Sequence, residues 1–229
     1  MKNLYLTLDI AAISIPLLAS FYPKANFSKT WGRLGIAIAI PAIIFILWDV
    51  LFTKWGVWGF NERYLIGIDI INLPIEEWLF FICIPYACTF TYFSLNHLIK
   101  KDVLGPYQKS ISWALIYFLL ALAIFNHEKA YTATTFFLLA GFLLLHIYVW
   151  KSDYLGRFYL TFLFILIPFF IINGILTGTG IEDQVVWYDN AENLSIRLGT
   201  IPVEDTFYGM LLLMMNVTIY ERLGAKNVS

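Results

Sequence analysis

Seven stretches of mostly apolar residues, at about 4–21, 35–52, 75–98, 110–126, 130–150, 157–178 and 204–221, set the terms on which this chain can fold. Crossing a hydrocarbon layer as a helix takes roughly 20 such residues, and each stretch meets or nearly meets that length. With 60% hydrophobic and 14% charged residues, the chain is richer in apolar side chains than a soluble domain, which holds about half. The runs are continuous rather than alternating, which excludes a transmembrane β-barrel. The chain is expected to be an all-α integral membrane protein with seven transmembrane helices.

Orientation follows from the basic residues. With seven spans, one side receives Lys24, Lys29, Arg33, Lys100, Lys101, Lys109, Lys151, Arg157, Arg222 and Lys226, and the other only Lys2, Lys54, Arg63, Lys129 and Arg197. The positive-inside bias places the N-terminus outside and the C-terminus in the cytoplasm, and the expected location is the bacterial cytoplasmic (inner) membrane, crossed many times. A cleaved signal peptide over residues 1–21 is disfavoured, because Asp9 and Pro16 interrupt its apolar region and no small-residue cleavage site follows. The net charge of −1 gives no reason to expect nucleic acid as a partner. Cys83 and Cys88 lie five apart in one expected helix, point to different faces and read as packing residues.

The chain repeats itself. LPIEEWLFF at residues 73–81 is answered by IPVEDTFYG at 201–209, so that Pro74 matches Pro202, Glu76 matches Glu204 and Glu77 matches Asp205 at an offset of 128. The loops before them agree as well: Trp58 and Asn61 in WGFN align with Trp187 and Asn190 in WYDN, and Pro41 aligns with Pro168. The expected division is a first three-helix unit over 1–105, a linker helix over 106–128 and a second three-helix unit over 129–229, a parallel 3+1+3 repeat. Both units enter from the same side, so an axis along the membrane normal would relate them and bring both acid pairs to one end of the bundle, facing one central space.

The four acids, Glu76, Glu77, Glu204 and Asp205, admit a structural explanation. Proline suits the start of a helix, and acids in the first turn interact well with the positive end of the helix dipole. Against this, neighbouring helical residues lie about 100° apart, so only one acid of each pair can point a given way. Ionisable groups in membrane helices are expensive unless they serve a polar cavity. Phe80 and Tyr208 each stand three and four residues after an acid pair and share its face. Such rings, more often an interfacial belt, can also stabilise a cation. Asn216 lies on a similar face and otherwise reads as an interhelical hydrogen-bonding residue.

At these residues the chain resembles a known family. PIEEWLFF with IPYACTFTY, and TIPVEDTFYGMLLLMMNVTIYE, are similar to the two halves of the small integral-membrane, non-flavin lycopene cyclases, here joined in one chain. The resemblance covers nearly the whole sequence. It implies cyclisation of the open ends of lycopene to β-rings, giving β-carotene through γ-carotene. It implies Glu76, Glu77, Glu204 and Asp205 as the catalytic acids, with Trp58, Asn61, Asn173, Trp187 and Asn190 in neighbouring substrate-binding segments. Phe80, Tyr208 and Asn216 join these as candidate substrate contacts. The chemistry is redox-neutral: an acid protonates the terminal double bond, a neighbouring double bond attacks the cation, and a base removes a ring proton. It calls for no metal and no cofactor. The donor must hold its proton near neutral pH, as desolvation or an adjacent like charge would arrange. On this reading Glu204→Gln abolishes ring formation. The expected partners are lycopene drawn from the bilayer and the membrane lipids, with self-association or contact with other carotenoid enzymes left open.

Other classes fare less well. No G-x-G-x-x-G points to a dinucleotide, the three histidines His97, His127 and His146 are scattered as solvated or interfacial residues rather than gathered for a metal, and no Asp-x-x-x-Asp pair awaits magnesium diphosphate. A retinal protein would need a lysine in the seventh helix, and 204–221 has none. A seven-helix transport or binding protein would spread polar residues through the bundle, whereas here they gather at its outer end apart from Asp9, Asp49, Asn173 and Asn216. The nearest alternative is a carotenoid hydratase, in which water reaches the same cation first.

Overall fold

In a computed structural model the chain is described over residues 2–226. Met1 and residues 227–229, at the ends of the first and third expected units, lie outside the described residues. Seven α-helices follow in order: α1 Leu4–Ala19, α2 Trp31–Trp55, α3 Ile75–Leu98, α4 Gln108–Phe125, α5 Ala130–Leu144, α6 Leu155–Leu176 and α7 Val203–Lys226. Five of the helical segments among the described residues are long and apolar enough to cross a membrane, and α1 is a shorter apolar helix. Helices suit this sequence because each closes its own backbone hydrogen bonds where no water is available. Pro16, Pro41, Pro85 and Pro168 sit inside four of them, tolerated where neighbouring helices and side chains cover the freed carbonyls.

Ile43, Leu47, Phe125 and Ile167 face outward, while Phe45, Phe81, Phe136, Leu139 and Phe158 fill the interior. Helix α5 runs on into a π-helical turn over Leu145–Trp150, closed by Lys151 at φ 47°. Within that turn His146, expected to be solvated or interfacial, is not solvated. It is buried, its Nδ1 2.8 Å from Ser152 Oγ and its Nε2 3.1 Å from Thr218 Oγ1, because both ring nitrogens find hydroxyl partners there. His97 and His127 are exposed, and Cys83 and Cys88 carry free thiols.

The repeat is visible in the backbone. Helices α3 and α7 have equal length and start 128 residues apart. Each follows a tight hairpin, β2 Asp69–Ile70 with β3 Leu73–Pro74 in the first half and β5 Arg197–Leu198 with β6 Ile201–Pro202 in the second. A third ribbon joins the halves: β1 Trp58–Phe60 pairs antiparallel with β4 Val186–Tyr188, Trp58 opposite Tyr188 and Gly59 opposite Trp187. Trp58 and Trp187 are repeat mates, so each half lays the same strand on the other, the reciprocal contact of a local twofold axis. Gly59 is required at the crossing, since a Cβ there would fall inside the Trp187 indole. The halves also interlock below, with α2 packed on both α3 and α7 and α3 packed on both α6 and α7.

Candidate functional site

The adjacent acids of each motif go separate ways. Pro74 precedes α3 with extended backbone and makes no side-chain cap, and Glu76 does not cap its own helix either. Its Oε1 accepts the Ile66 backbone N–H at 2.6 Å, tying down the loop ten residues upstream. Glu204 repeats this contact, accepting Leu194 N–H at 2.7 Å and also the Thr132 hydroxyl at 2.6 Å. Both are fully buried, and neither lines the central cavity. One position on and about 100° around the helix, Glu77 and Asp205 do line it, from opposite halves of the repeat.

That cavity, about 640 Å³ in volume, is walled by α1, α3, α6 and α7 and covered by the β1–β4 ribbon. Along α3 it reaches from Glu77 to Thr91, roughly 21 Å at 1.5 Å per residue. Leu8, Ile84, Phe162, Ile165, Phe169 and Leu212 make its body apolar, and Glu77 and Asp205, in the first turns of α3 and α7, line its end beneath the β1–β4 ribbon. Glu77 Oε2 accepts the Tyr5 hydroxyl at 2.5 Å. Asp205 accepts the Tyr131 hydroxyl at 2.7 Å, the Tyr188 hydroxyl at 2.9 Å and, at 3.5 Å, the Asn173 amide. Tyr188 lies on the covering ribbon, and its hydroxyl is pushed well above the usual tyrosine range by enclosure and then by the Asp205 charge, so it stays a donor.

Of the candidate substrate contacts, Phe80, Tyr208, Trp58 and Asn173 line this space. The Tyr208 ring stands in an aromatic cluster, with centroids 4.9 Å from Phe45, 5.0 Å from Trp48 and 6.2 Å from Trp58. Asn61 and Trp187 lie instead on the outer face around a separate shallow polar depression. Asn190 accepts Arg197 Nη2 at 2.6 Å in the exposed loop, and Asn216 donates to Leu212 O at 2.7 Å within its own helix, away from the cavity. Sequence reasoning passed over Tyr5, Tyr131, Tyr188 and Asp49 as site residues. The first two sit in α1 and at the start of α5 at an offset of 126, so the repeat that revealed the acids also carries their hydroxyl partners.

Fold and site together define a polytopic membrane protein with one acid-headed apolar cavity built from two repeats. The sequence model of the family described as lycopene cyclase matches residues 2–95 and 128–223, both halves of the repeat. This chain belongs to the lycopene cyclase family. It is similar to the bifunctional lycopene cyclase/phytoene synthase of Phycomyces blakesleeanus, 28% identical over 113 residues, 47% of this chain and 19% of that protein. It is likewise similar to the bifunctional lycopene cyclase/phytoene synthase of Pyrenophora tritici-repentis, 28% identical over 94 residues, 41% of this chain and 15% of that protein. The matched segments thus span less than a fifth of either relative's length. No solved structure matches.

Proposed function

We propose that this chain is a lycopene β-cyclase, converting lycopene through γ-carotene to β-carotene by protonation, ring closure and proton loss. One observation carries this: a single apolar cavity receives one acid from each repeat motif, Glu77 and Asp205, while the other acid of each motif is turned into a loop contact. An apolar shaft takes a polyene end, its two carboxyls serve as acid and base, and dry aromatic walls at Phe80, Trp58 and Tyr208 spare the cation from water and stabilise it. The reaction is redox-neutral and is an isomerisation. Glu76 and Glu204 act on the site through the loops they hold rather than through substrate.

In this reading seven helices span a bacterial cytoplasmic membrane, N-terminus outside, with units over 1–105 and 129–229 joined by the linker helix, and lycopene enters from the bilayer. The test is chromatography with mass spectrometry of pigments from a lycopene-producing host expressing this chain alone. Products of unchanged mass with the retention and spectrum of β-carotene are expected. Products heavier by water would transfer the assignment to a hydratase, and unaltered lycopene beside well-inserted protein would refute it.

A further inference from the structure

The loop before the second acid motif carries an arrangement that the first half lacks. Tyr188 of the covering ribbon, whose hydroxyl bonds Asp205 at 2.9 Å, meets two further groups. The Tyr131 ring stacks on it, 5.9 Å between centroids and 14° between planes, and the Arg197 guanidinium lies over it, 5.5 Å from the ring centroid. Arg197, half-buried on β5, donates to Asn190 Oδ1 at 2.6 Å and to Thr200 O at 3.4 Å. Both acceptors are uncharged, so they fix the guanidinium without neutralising it. A cation thus stands one phenol ring away from Asp205. The first half fills the same places differently. Phe60, 128 residues before Tyr188 and likewise lining the cavity, has no hydroxyl. Asp69 stands opposite Pro74 as Arg197 stands opposite Pro202, so the first hairpin carries an anion where the second carries a cation. At the offset of the aligned prolines, Ile46 takes the place of Asn173. Glu77 keeps the Tyr5 hydroxyl, the counterpart of Tyr131, whereas three donors reach Asp205. Donors and a nearby cation both favour the charged form of a carboxyl group, and the second half is where they gather.

We propose that Arg197, held by Asn190 and laid over Tyr188, is a positioning residue that keeps Asp205 a charged acceptor, making Asp205 the base of the reaction and Glu77 its proton donor. The inference rests on the cyclase reading of the same cavity. Glu77 gives its proton to the terminal double bond, whose electron pair forms the new C–H bond. The electron pair of the neighbouring double bond forms the ring bond, and the electrons of a ring C–H bond form the ring double bond as Asp205 takes that proton. Between turnovers Asp205 releases a proton and Glu77 regains one, so the substrate's formula is unchanged. The other titratable groups around Asp205 are Tyr131 on α5, Tyr188 on the ribbon, Glu204 and Tyr208 on its own helix, and Glu77 and Asp49 across the cavity. None of these is a cation, and Lys129, ahead of α5, is turned to Asn193 O at 2.7 Å.

The test follows ring formation against pH in lycopene-loaded liposomes for full-length wild type, Arg197→Gln, Arg197→Lys and Tyr188→Phe. A base works only when ionised, so its protonation sets the acidic limb of the profile. Arg197→Gln is expected to move that limb up by about one pH unit, the weight of a unit charge about 10 Å off at an effective dielectric constant near 20, with the rate above the limb unchanged. Arg197→Lys keeps the cation and should hold the limb near its wild-type place, while Tyr188→Phe, which removes a donor, should move it in the same direction as Arg197→Gln. An unmoved limb in Arg197→Gln or Tyr188→Phe, or an equal loss at every pH that lysine does not restore, would overturn the proposal by leaving Arg197 a purely structural residue. A shift of the alkaline limb instead would overturn it by making Asp205 the donor. Infrared titration of the carboxyl bands without substrate gives a second reading: the band that Asp205→Asn removes should turn from carboxylate to protonated carboxyl at higher pH in Arg197→Gln than in wild type. That reading needs no turnover, so a wild type that makes no ring defeats the cyclase reading and still leaves the action of Arg197 on Asp205 to be judged by its band. If Arg197→Gln does not fold, the same band in Tyr188→Phe decides.

Discussion

At the scale of single residues, the adjacent acids of each motif are chemically alike and separated only by where a 100° turn aims them. Substitutions should therefore sort by position in the pair. Glu77→Gln and Asp205→Asn remove a transferable proton or a base from the cavity, and each should cost about 100-fold or more in ring formation with the folded protein intact. Glu76→Gln and Glu204→Gln keep the oxygen that accepts Ile66 N–H or Leu194 N–H, and neither acid lines the cavity, so in place of the abolition that the family resemblance implied for Glu204→Gln their loss should stay below about tenfold. Their alanine versions should instead destabilise the protein by about 1–3 kcal/mol, the cost of an orphaned buried donor. Product ratios in membranes and thermal unfolding in detergent, measured on all six variants, check the division. Equal losses at all four positions would show that the first acids also touch the chemistry. The motif itself was legible in the sequence, since Pro-x-Glu-acid recurs at one offset. The division of labour was not, because it depends on the loop backbone that each first acid reaches, ten residues upstream.

At the scale of elements, the long helices were visible because apolar runs of about 20 residues leave little else for the chain to do. The three ribbons were not, for strands of two or three residues carry no periodicity to read. Yet one ribbon covers the cavity, and it is why Tyr188, in a loop of the sequence, bonds Asp205. The hairpins before α3 and α7 show how the two halves have diverged. Gly199 turns the second at φ 67°, and its repeat mate Ile71 turns the first at φ 64°. The left-handed region is free to glycine and costs a β-branched residue roughly 1–2 kcal/mol. The Ile71 side chain is 74% exposed, so little packing offsets that cost. Ile71→Gly is accordingly expected to stabilise the protein by about 1 kcal/mol after the greater unfolded-state freedom of glycine is deducted, read as a rise of a few degrees in Tm. A fall in Tm would mean that the exposed isoleucine is anchored by lipid. By contrast, the exposed pair of Arg63 with Glu182, at 2.6 Å with both side chains well exposed, links the two outer loops at a strength of about 1 kcal/mol or less.

At the scale of the molecule, the two repeats share one cavity, because each half sends a strand, a motif acid and at least one tyrosine to the same place. The halves are not equivalent there. Glu77 and Asp49 of the first half both line the cavity, the second contributes Asp205 among hydroxyl and amide donors, and in the proposed reaction that inequality would let one polyene end meet a donor and an acceptor at once. A single shaft also dictates how a long apolar substrate arrives. Helices α1 and α6 both lean on α3 but make little contact with one another. Ile15 of α1 and Ile171 of α6 line the cavity while remaining 76% and 60% exposed on the outside of the bundle. The cavity therefore opens sideways between these helices, and in the proposed reaction a lycopene molecule entering there from the bilayer would present one end to the acids while its other end trails outside. Each end then requires its own visit, so γ-carotene should rise before β-carotene in a time course. Narrowing the opening with Ile15→Trp and Ile171→Trp together should slow both steps by about tenfold, some 1.4 kcal/mol on the barrier, and raise the γ- to β-carotene ratio, because a released one-ringed product re-enters less often. The acids are untouched by these changes, so single-turnover ring formation by enzyme already loaded with lycopene should keep its wild-type rate. Unaltered steady-state rates in the double variant would place the entrance elsewhere, and a slowed single turnover would mean that the two isoleucines shape the reacting end rather than the path to it.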